Sequence, residues 1–77
     1  MRVKVLIFGQ LTDITRESEI YLNEVSDRDE LVNKLVQQYP ALADSKYAIA
    51  VDRKVITRNI RLTDECTVAL LPPFSGG

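Results

Sequence analysis

The residues best suited to chemistry are the last two, Gly76 and Gly77, which present a carboxylate with no side chain beside it. They follow the segment Leu71-Pro72-Pro73-Phe74-Ser75, in which two prolines stop a predicted strand and hold the backbone extended. Because glycine has no Cβ, such a tail can enter a channel too narrow for other residues and leaves its terminal carbonyl open to attack. We therefore interpret the C-terminal carboxylate as the working group of this chain.

The rest of the chain offers little for catalysis. It has no His and a single Cys, Cys66, which argues against a zinc site, a Ser-His or Cys-His nucleophile pair and an imidazole base. The only other glycine, Gly9, leaves no Gly-rich phosphate loop. Cys66 shares its strand face with Val68 and Leu70, so we expect a small buried hydrophobe and not a redox or persulfide centre. We expect this chain to bind no metal and no cofactor.

Length and charge indicate one small globular domain over residues 1–77, with a flexible C-terminal tail at 72–77. The 77 residues are 45% hydrophobic and 27% charged, which is ordinary for a folded domain. Ten basic and 11 acidic residues give a net charge of −1, so nothing electrostatic favours nucleic acid or an anionic membrane as a partner. No apolar run resembles a membrane span or a signal peptide, and a single Cys is typical of a reducing compartment, so we expect a cytoplasmic protein.

Hydrophobic periodicity predicts the elements that would position this tail. Alternation predicts strands at 2–8, 19–23, 47–51, 55–57 and 66–71, with a polar turn region at 11–18. An apolar stripe of helical spacing predicts one helix, which begins after the N-cap Ser26 and ends at Pro40. This β-β-α-β-β-β order predicts an α+β fold of the β-grasp (ubiquitin-like) type, a mixed sheet with one main helix packed across it.

The first predicted strand has two different faces. Val3, Val5 and Ile7 lie on one face, which we expect the helix to cover. Leu6 and Phe8 lie on the other face, together with charged residues nearer the N-terminus. Because a tail that enters another protein needs a docking surface beside it, we interpret Leu6 and Phe8 as part of a partner interface.

Three segments make the chain resemble the small subunit of molybdopterin synthase, the MoaD-like sulfur carriers. Residues 3–10 are similar to the family's first strand, which often ends in Phe-Ala-Gln, and residues 50–52 stand where the family commonly has Ala-Val-Asn. Residues 62–77 are similar to the family's C-terminal end, which is a turn, a strand, Pro-Pro and then Gly-Gly. The sequence departs from this pattern at Asp52, where Asn is usual, and at 64–66, where Asp-Gly-Asp is frequent.

The resemblance implies a function for the tail. The Gly77 carboxylate would be adenylated with ATP by an activating enzyme related to that of ubiquitin, then converted to a thiocarboxylate by a sulfurtransferase or another sulfur donor. The large subunit of molybdopterin synthase would receive the tail and use its sulfur on cyclic pyranopterin monophosphate, within a heterotetramer. Phe8 matches a family position that contacts the large subunit. The residues implied in tail insertion are Pro72, Pro73, Phe74, Ser75 and Gly76.

Three other functions stay open at this point. The same carrier chemistry could serve thiamine or cysteine formation, although the Pro72-Pro73-Phe74 lead is more typical of the molybdopterin type. The chain could instead be a ubiquitin-like modifier that is joined to lysines through Gly77, because both activities begin with the same adenylate. It could also be a β-grasp interaction module whose tail is inert.

Overall fold

The computed structural model describes residues 2–73, which form five strands and two α-helices. The strands are β1 (Arg2–Ile7), β2 (Glu19–Asn23), β3 (Ala48–Val51), β4 (Lys54–Ile56) and β5 (Thr67–Leu71). The helices are α1 (Thr12–Thr15) and α2 (Arg28–Gln38), and 3₁₀ turns lie at Gly9–Leu11 and Pro40–Asp44.

The five strands form one mixed sheet in the order β2-β1-β5-β3-β4. β1 pairs antiparallel with β2 and parallel with β5, while β3 pairs antiparallel with both β5 and β4. Because β1 and β5 run parallel, their C-terminal ends meet at the same edge of the sheet. The start of the tail therefore lies beside the end of β1. It follows β5, which is the central strand in the order of the sheet. The predicted β-grasp architecture is confirmed.

One face of the sheet and one face of α2 share a single hydrophobic core. Val3 and Val5 of β1 are fully buried, as are Leu31 and Leu35 of α2, and all four belong to one apolar cluster. Fully burying a side chain of this size contributes about 1.5–3 kcal/mol relative to leaving it exposed. The predicted inward face of β1 and the apolar stripe of the helix are both confirmed.

The N-terminus of α2 is capped one residue later than predicted. Asp27, and not Ser26, is the N-cap, because its Oδ1 accepts a hydrogen bond from the Glu30 N–H at 2.9 Å. The Ser26 N–H and Oγ instead donate to the Glu30 carboxylate, each at 2.7 Å. The Ser26 prediction is wrong because a hydroxyl and a carboxylate cap a helix equally well, so residue type does not choose between neighbours. The backbone conformation of the residues before α2 decides which of the two is the N-cap.

The region at 11–18, predicted to be a polar turn, contains α1 and contributes to the core. Leu11 and Thr15 are buried, and the Thr15 hydroxyl donates a hydrogen bond to the Glu17 carbonyl at 2.7 Å. α1 ends at Thr15, and the next residue, Arg16, has a left-handed φ of 63°. A single helical turn holds too few residues to show a helical period, so the sequence pattern does not reveal it.

Strand ends differ from the predictions by about one residue, which is the usual uncertainty of such boundaries. β1 stops at Ile7 and not at residue 8, and β5 begins at Thr67 and not at residue 66. β3 begins at Ala48, while β4 is shifted towards the preceding turn. Across residues 2–73, no helix has the length and apolar character that crossing a membrane requires.

Candidate functional site

The candidate site begins where the tail leaves the sheet. β5 ends at Leu71, after which Pro72 is half-buried and Pro73 is exposed. Proline cannot donate a ladder hydrogen bond, so the pair ends the strand as the sequence predicts. The other predicted tail residues lie outside the described residues and stay predictions: Phe74, Ser75, Gly76 and Gly77.

Gly9 supports the first residue of the tail, a role that its sequence context alone does not reveal. Its φ is +60°, and a Cβ built on it would lie 2.7 Å from the Cγ of Pro72. The Phe8 N–H donates to the Leu70 carbonyl at 3.2 Å, and the Thr12 hydroxyl donates to the Gly9 carbonyl at 2.8 Å. The backbone after β1 thus lies directly against Pro72, and only a glycine leaves room for that contact.

The face of the sheet opposite α2, here called the open face, carries an apolar row. Leu6 is in register with Ala69, Ala69 with Ala50, and Ala50 with Val55, so their side chains point to the same side. Val55 is 61% exposed, and Phe8, directly after β1, is 45% exposed. Large apolar side chains left this accessible on one surface are typical of an interaction site.

A concavity of about 440 Å³ lies on the open face. The structure brings Leu6 and Phe8 together in its wall, on the side of the sheet that strand alternation predicts. Five further residues complete the lining, and no local sequence pattern connects them with this surface. They are Ala50, Asp52, Arg53, Thr67 and Ala69.

Each charged side chain within β1 and β2 lies at ion-pair distance from an opposite charge. Lys4 lies 3.8 Å from Glu19, and Arg2 lies 3.4 Å from Glu65, measured between nitrogen and carboxylate oxygen. The Arg2 guanidinium also lies 5.0 Å from the centre of the Tyr21 ring. Such exposed pairs contribute only about 0–1 kcal/mol each to stability, so their main consequence is that their charges are already balanced.

The turn between β3 and β4 has a left-handed backbone at both of its residues. Asp52 has a φ of 47° and Arg53 a φ of 74°, and the flanking residues Val51 and Lys54 pair directly. Two positive φ values in a two-residue hairpin turn are characteristic of type I′, in which glycine is favoured at the second position. Asp52 is fastened to β5, because its N–H donates to the Thr67 carbonyl at 2.8 Å and its Oδ1 accepts from the Thr67 N–H at 3.0 Å.

Cys66 is placed as predicted, as a small buried hydrophobe. It is 4% exposed and belongs to the same apolar cluster as Val68 and Leu70. Burial raises the pKa of its thiol, since the interior disfavours the thiolate. A thiol in this state is a poor nucleophile, and it lies on the core side of the sheet, away from the concavity.

The sheet, its main helix and the tail at the end of the central strand define a ubiquitin-like β-grasp protein. The chain belongs to the ThiS family, whose sequence model matches residues 5–77 and so includes the Gly76-Gly77 end.

Two curated relatives are similar over nearly their whole length, and both are named molybdopterin synthase sulfur carrier subunit. The relative from Caenorhabditis elegans is 32% identical, covering 97% of this chain and 96% of the relative. The relative from Mycobacterium tuberculosis is also 32% identical, covering 100% of this chain and 99% of the relative. The family resemblance predicted from the sequence is confirmed.

Solved structures show the same fold. A chain in the complex of subunits 1 and 2 of molybdopterin-converting factor from Helicobacter pylori is 30% identical, with a TM-score of 0.76 and full coverage of both chains, 100% and 100%. Small archaeal modifier protein 1 from Methanosarcina acetivorans has a TM-score of 0.84, 24% identity and coverage of 99% of this chain and 96% of that chain. At that identity, the second likeness shows a shared fold alone.

Proposed function

We propose that this chain is the sulfur-carrier subunit of molybdopterin synthase and that the Gly77 carboxylate is its reactive group. The observation that carries the proposal is the nearly whole-length similarity to two relatives of that name. The family match extends through Gly77, so the Gly-Gly end is part of the shared pattern and not an addition to it.

The proposed chemistry follows from the poor reactivity of a carboxylate. A Gly77 oxygen attacks the α-phosphorus of ATP on an activating enzyme and releases pyrophosphate, which leaves an acyl adenylate. The terminal sulfur of a donor persulfide then displaces AMP, and a thiol cleaves the resulting acyl disulfide to give the thiocarboxylate. ATP and the catalytic side chains belong to the partner proteins in this scheme. The scheme requires neither a cofactor on this chain nor the thiol of Cys66, which is buried.

The geometry at the start of the tail supports delivery into a partner. Pro72 is held against Gly9, and the concavity that contains Leu6 and Phe8 lies on the adjoining open face. Four residues follow Pro73, and a fully extended segment of that length reaches at most about 14 Å. We propose that the large subunit binds the open face and takes up residues 72–77, so its reacting group must lie within about that distance of Pro73.

Intact mass after loading tests the tail chemistry. The purified chain is incubated with the activating enzyme, ATP and a sulfur donor, and the expected product is heavier by one exchange of oxygen for sulfur at Gly77. Deletion of Gly77 should abolish this product, whereas Cys66→Ser, which leaves the tail intact, should still form it. A wild-type mass that does not change would refute the carrier chemistry.

The client is tested by adding the loaded chain to the large subunit and cyclic pyranopterin monophosphate. Formation of the dithiolene product supports the molybdopterin assignment. A loaded chain that transfers no sulfur there would direct attention to another pathway, such as thiamine or cysteine formation. Lysine-linked conjugates in cells without any thiocarboxylate would indicate a protein modifier.

Phe8→Asp tests the docking surface. Phe8 is 45% exposed and outside the core cluster, so the substitution should weaken binding of the large subunit without unfolding the domain. Asn33→Asp is the matched control, because it adds the same charge at an exposed position of α2, on the other side of the sheet. Equal affinities of the two variants, measured by calorimetry, would rule out the open face as the interface.

A further inference from the structure

The concavity on the open face holds one basic side chain, Arg53, and its surroundings indicate what the partner presents there. We propose that Arg53 is a specificity-determining residue that binds a carboxylate of the large subunit, on a segment whose apolar side chain contacts the apolar part of the lining. This inference rests on the proposed function, and it adds the chemistry of the docking segment.

Arg53 has no ion-pair partner among the described residues. On the β1–β2 side of the open face, Lys4 and Arg2 already have carboxylate partners. Over residues 2–73, Arg53 has neither an ion pair within 4.0 Å nor a side-chain hydrogen bond. The adjacent Asp52 carboxylate accepts a hydrogen bond from the Thr67 N–H. The lining therefore presents a guanidinium that makes no ion pair, beside a carboxylate whose Oδ1 is engaged by a backbone N–H.

The backbone holds Arg53 at this place in a conformation that favours glycine. Its φ is 74°, and the turn that contains it is fastened to β5 by the two hydrogen bonds between Asp52 and Thr67. Arginine in a left-handed turn position is destabilising, and such strain is concentrated at functional sites. The turn thus fixes the backbone of Arg53 at the concavity, close to the apolar row.

Part of the lining beside Arg53 is apolar. Leu6 and two small residues, Ala50 and Ala69, form this part, so a partner side chain can enter without displacing a bulky group. When that side chain excludes water, the attraction between the guanidinium and a carboxylate beside it strengthens, because the local dielectric falls. An Asp or Glu next to an apolar residue matches both Arg53 and the apolar part of the lining.

The test compares Arg53→Gly, Arg53→Glu and the matched charge reversal Arg58→Glu, which is exposed and outside the concavity. Affinity for the large subunit is measured by calorimetry at low and high ionic strength, together with the melting temperature of each variant. We expect Arg53→Gly to lower affinity roughly tenfold at low ionic strength while raising the melting temperature, because the strain is removed. Arg53→Glu should lower affinity further, and Arg58→Glu should change it by less than about twofold.

If Arg53 acts in binding, Arg53→Gly lowers affinity and raises the melting temperature. If its role were structural, affinity and melting temperature would fall together. If Arg53→Gly binds as tightly as the wild type while Phe8→Asp binds weakly, the role of Arg53 is refuted and the proposed function stands. If Arg58→Glu lowers affinity as much as Arg53→Glu, only the overall charge matters, and the role of Arg53 is again refuted. If the wild-type chain does not bind the large subunit, both proposals fail.

Discussion

Replacing Gly9 with Ala would test whether the backbone after β1 positions the tail. At a φ of +60°, a residue with a Cβ is destabilised by roughly 1–2 kcal/mol. The new Cβ would also lie 2.7 Å from the Pro72 Cγ, well inside the separation of about 3.5–4.0 Å at which two carbon atoms attract. Overpacking of this kind typically costs about 1–3 kcal/mol.

The expected loss of stability is about 2–4 kcal/mol, because Pro72 is only half-buried and can relieve part of the overlap by moving outwards. In a domain of this size, each kcal/mol lowers the melting temperature by about 4–8 °C, so we expect a decrease of at least about 8 °C. The same movement displaces the first residue of the tail. Sulfur transfer by the variant should therefore be slower than wild type at a temperature where both are folded.

Thermal unfolding of the wild type, Gly9→Ala, Pro72→Ala and the double variant separates the cost of the left-handed backbone from the cost of the contact with Pro72. Pro72→Ala removes the Cγ that the new methyl group would meet, so in the double variant only the cost of the left-handed backbone at position 9 remains. We expect the double-mutant cycle to give a coupling free energy of about 1 kcal/mol or more between the two positions. A coupling near zero would refute the proposed contact, and an undiminished melting temperature for Gly9→Ala alone would refute the backbone argument as well.

Three further predictions concern the helix cap and the thiol. Asp27→Ala should destabilise the domain by about 1 kcal/mol in urea unfolding, while Asp27→Asn, which keeps an acceptor for the Glu30 N–H, should be nearly neutral; equal losses would contradict the N-cap assignment. The hydroxyl and N–H of Ser26 lower the pKa of Glu30 below 4.5, so this contribution to stability is present above pH 4.5 and is lost as the pH falls through the lower folded-state pKa. Glu30→Gln should therefore flatten the acid limb of the pH–stability curve, and an unchanged limb would argue against this linkage. The buried thiol of Cys66 should react with iodoacetamide far more slowly in the native protein than in urea, and rapid native labelling would show that burial does not protect it.

Leu6 and Phe8 could be assigned to the open face from the sequence because side chains of a strand alternate regardless of what the strand pairs with. The buried state of Cys66 follows from the same alternation. The choice of Asp27 over Ser26 as the N-cap does not follow, since both residue types accept the same hydrogen bond and only the backbone path distinguishes them. The place of Arg53 in the same concavity as Leu6 could not be predicted either, because no local pattern specifies which strand pairs with which.

The sequence by itself determined the features that depend on neighbouring residues. These are the alternation of β1 and β5, the apolar stripe of α2, the proline pair that ends β5 and the Gly-Gly end. The tertiary structure alone decided that Gly9 supports Pro72 and that Arg53 joins the concavity of Leu6 and Phe8. Both contacts arise from the pairing of β5 with β1 on one side and β3 on the other. That pairing depends on contacts between distant parts of the chain, whose arrangement is set by burying the whole core and not by any local preference.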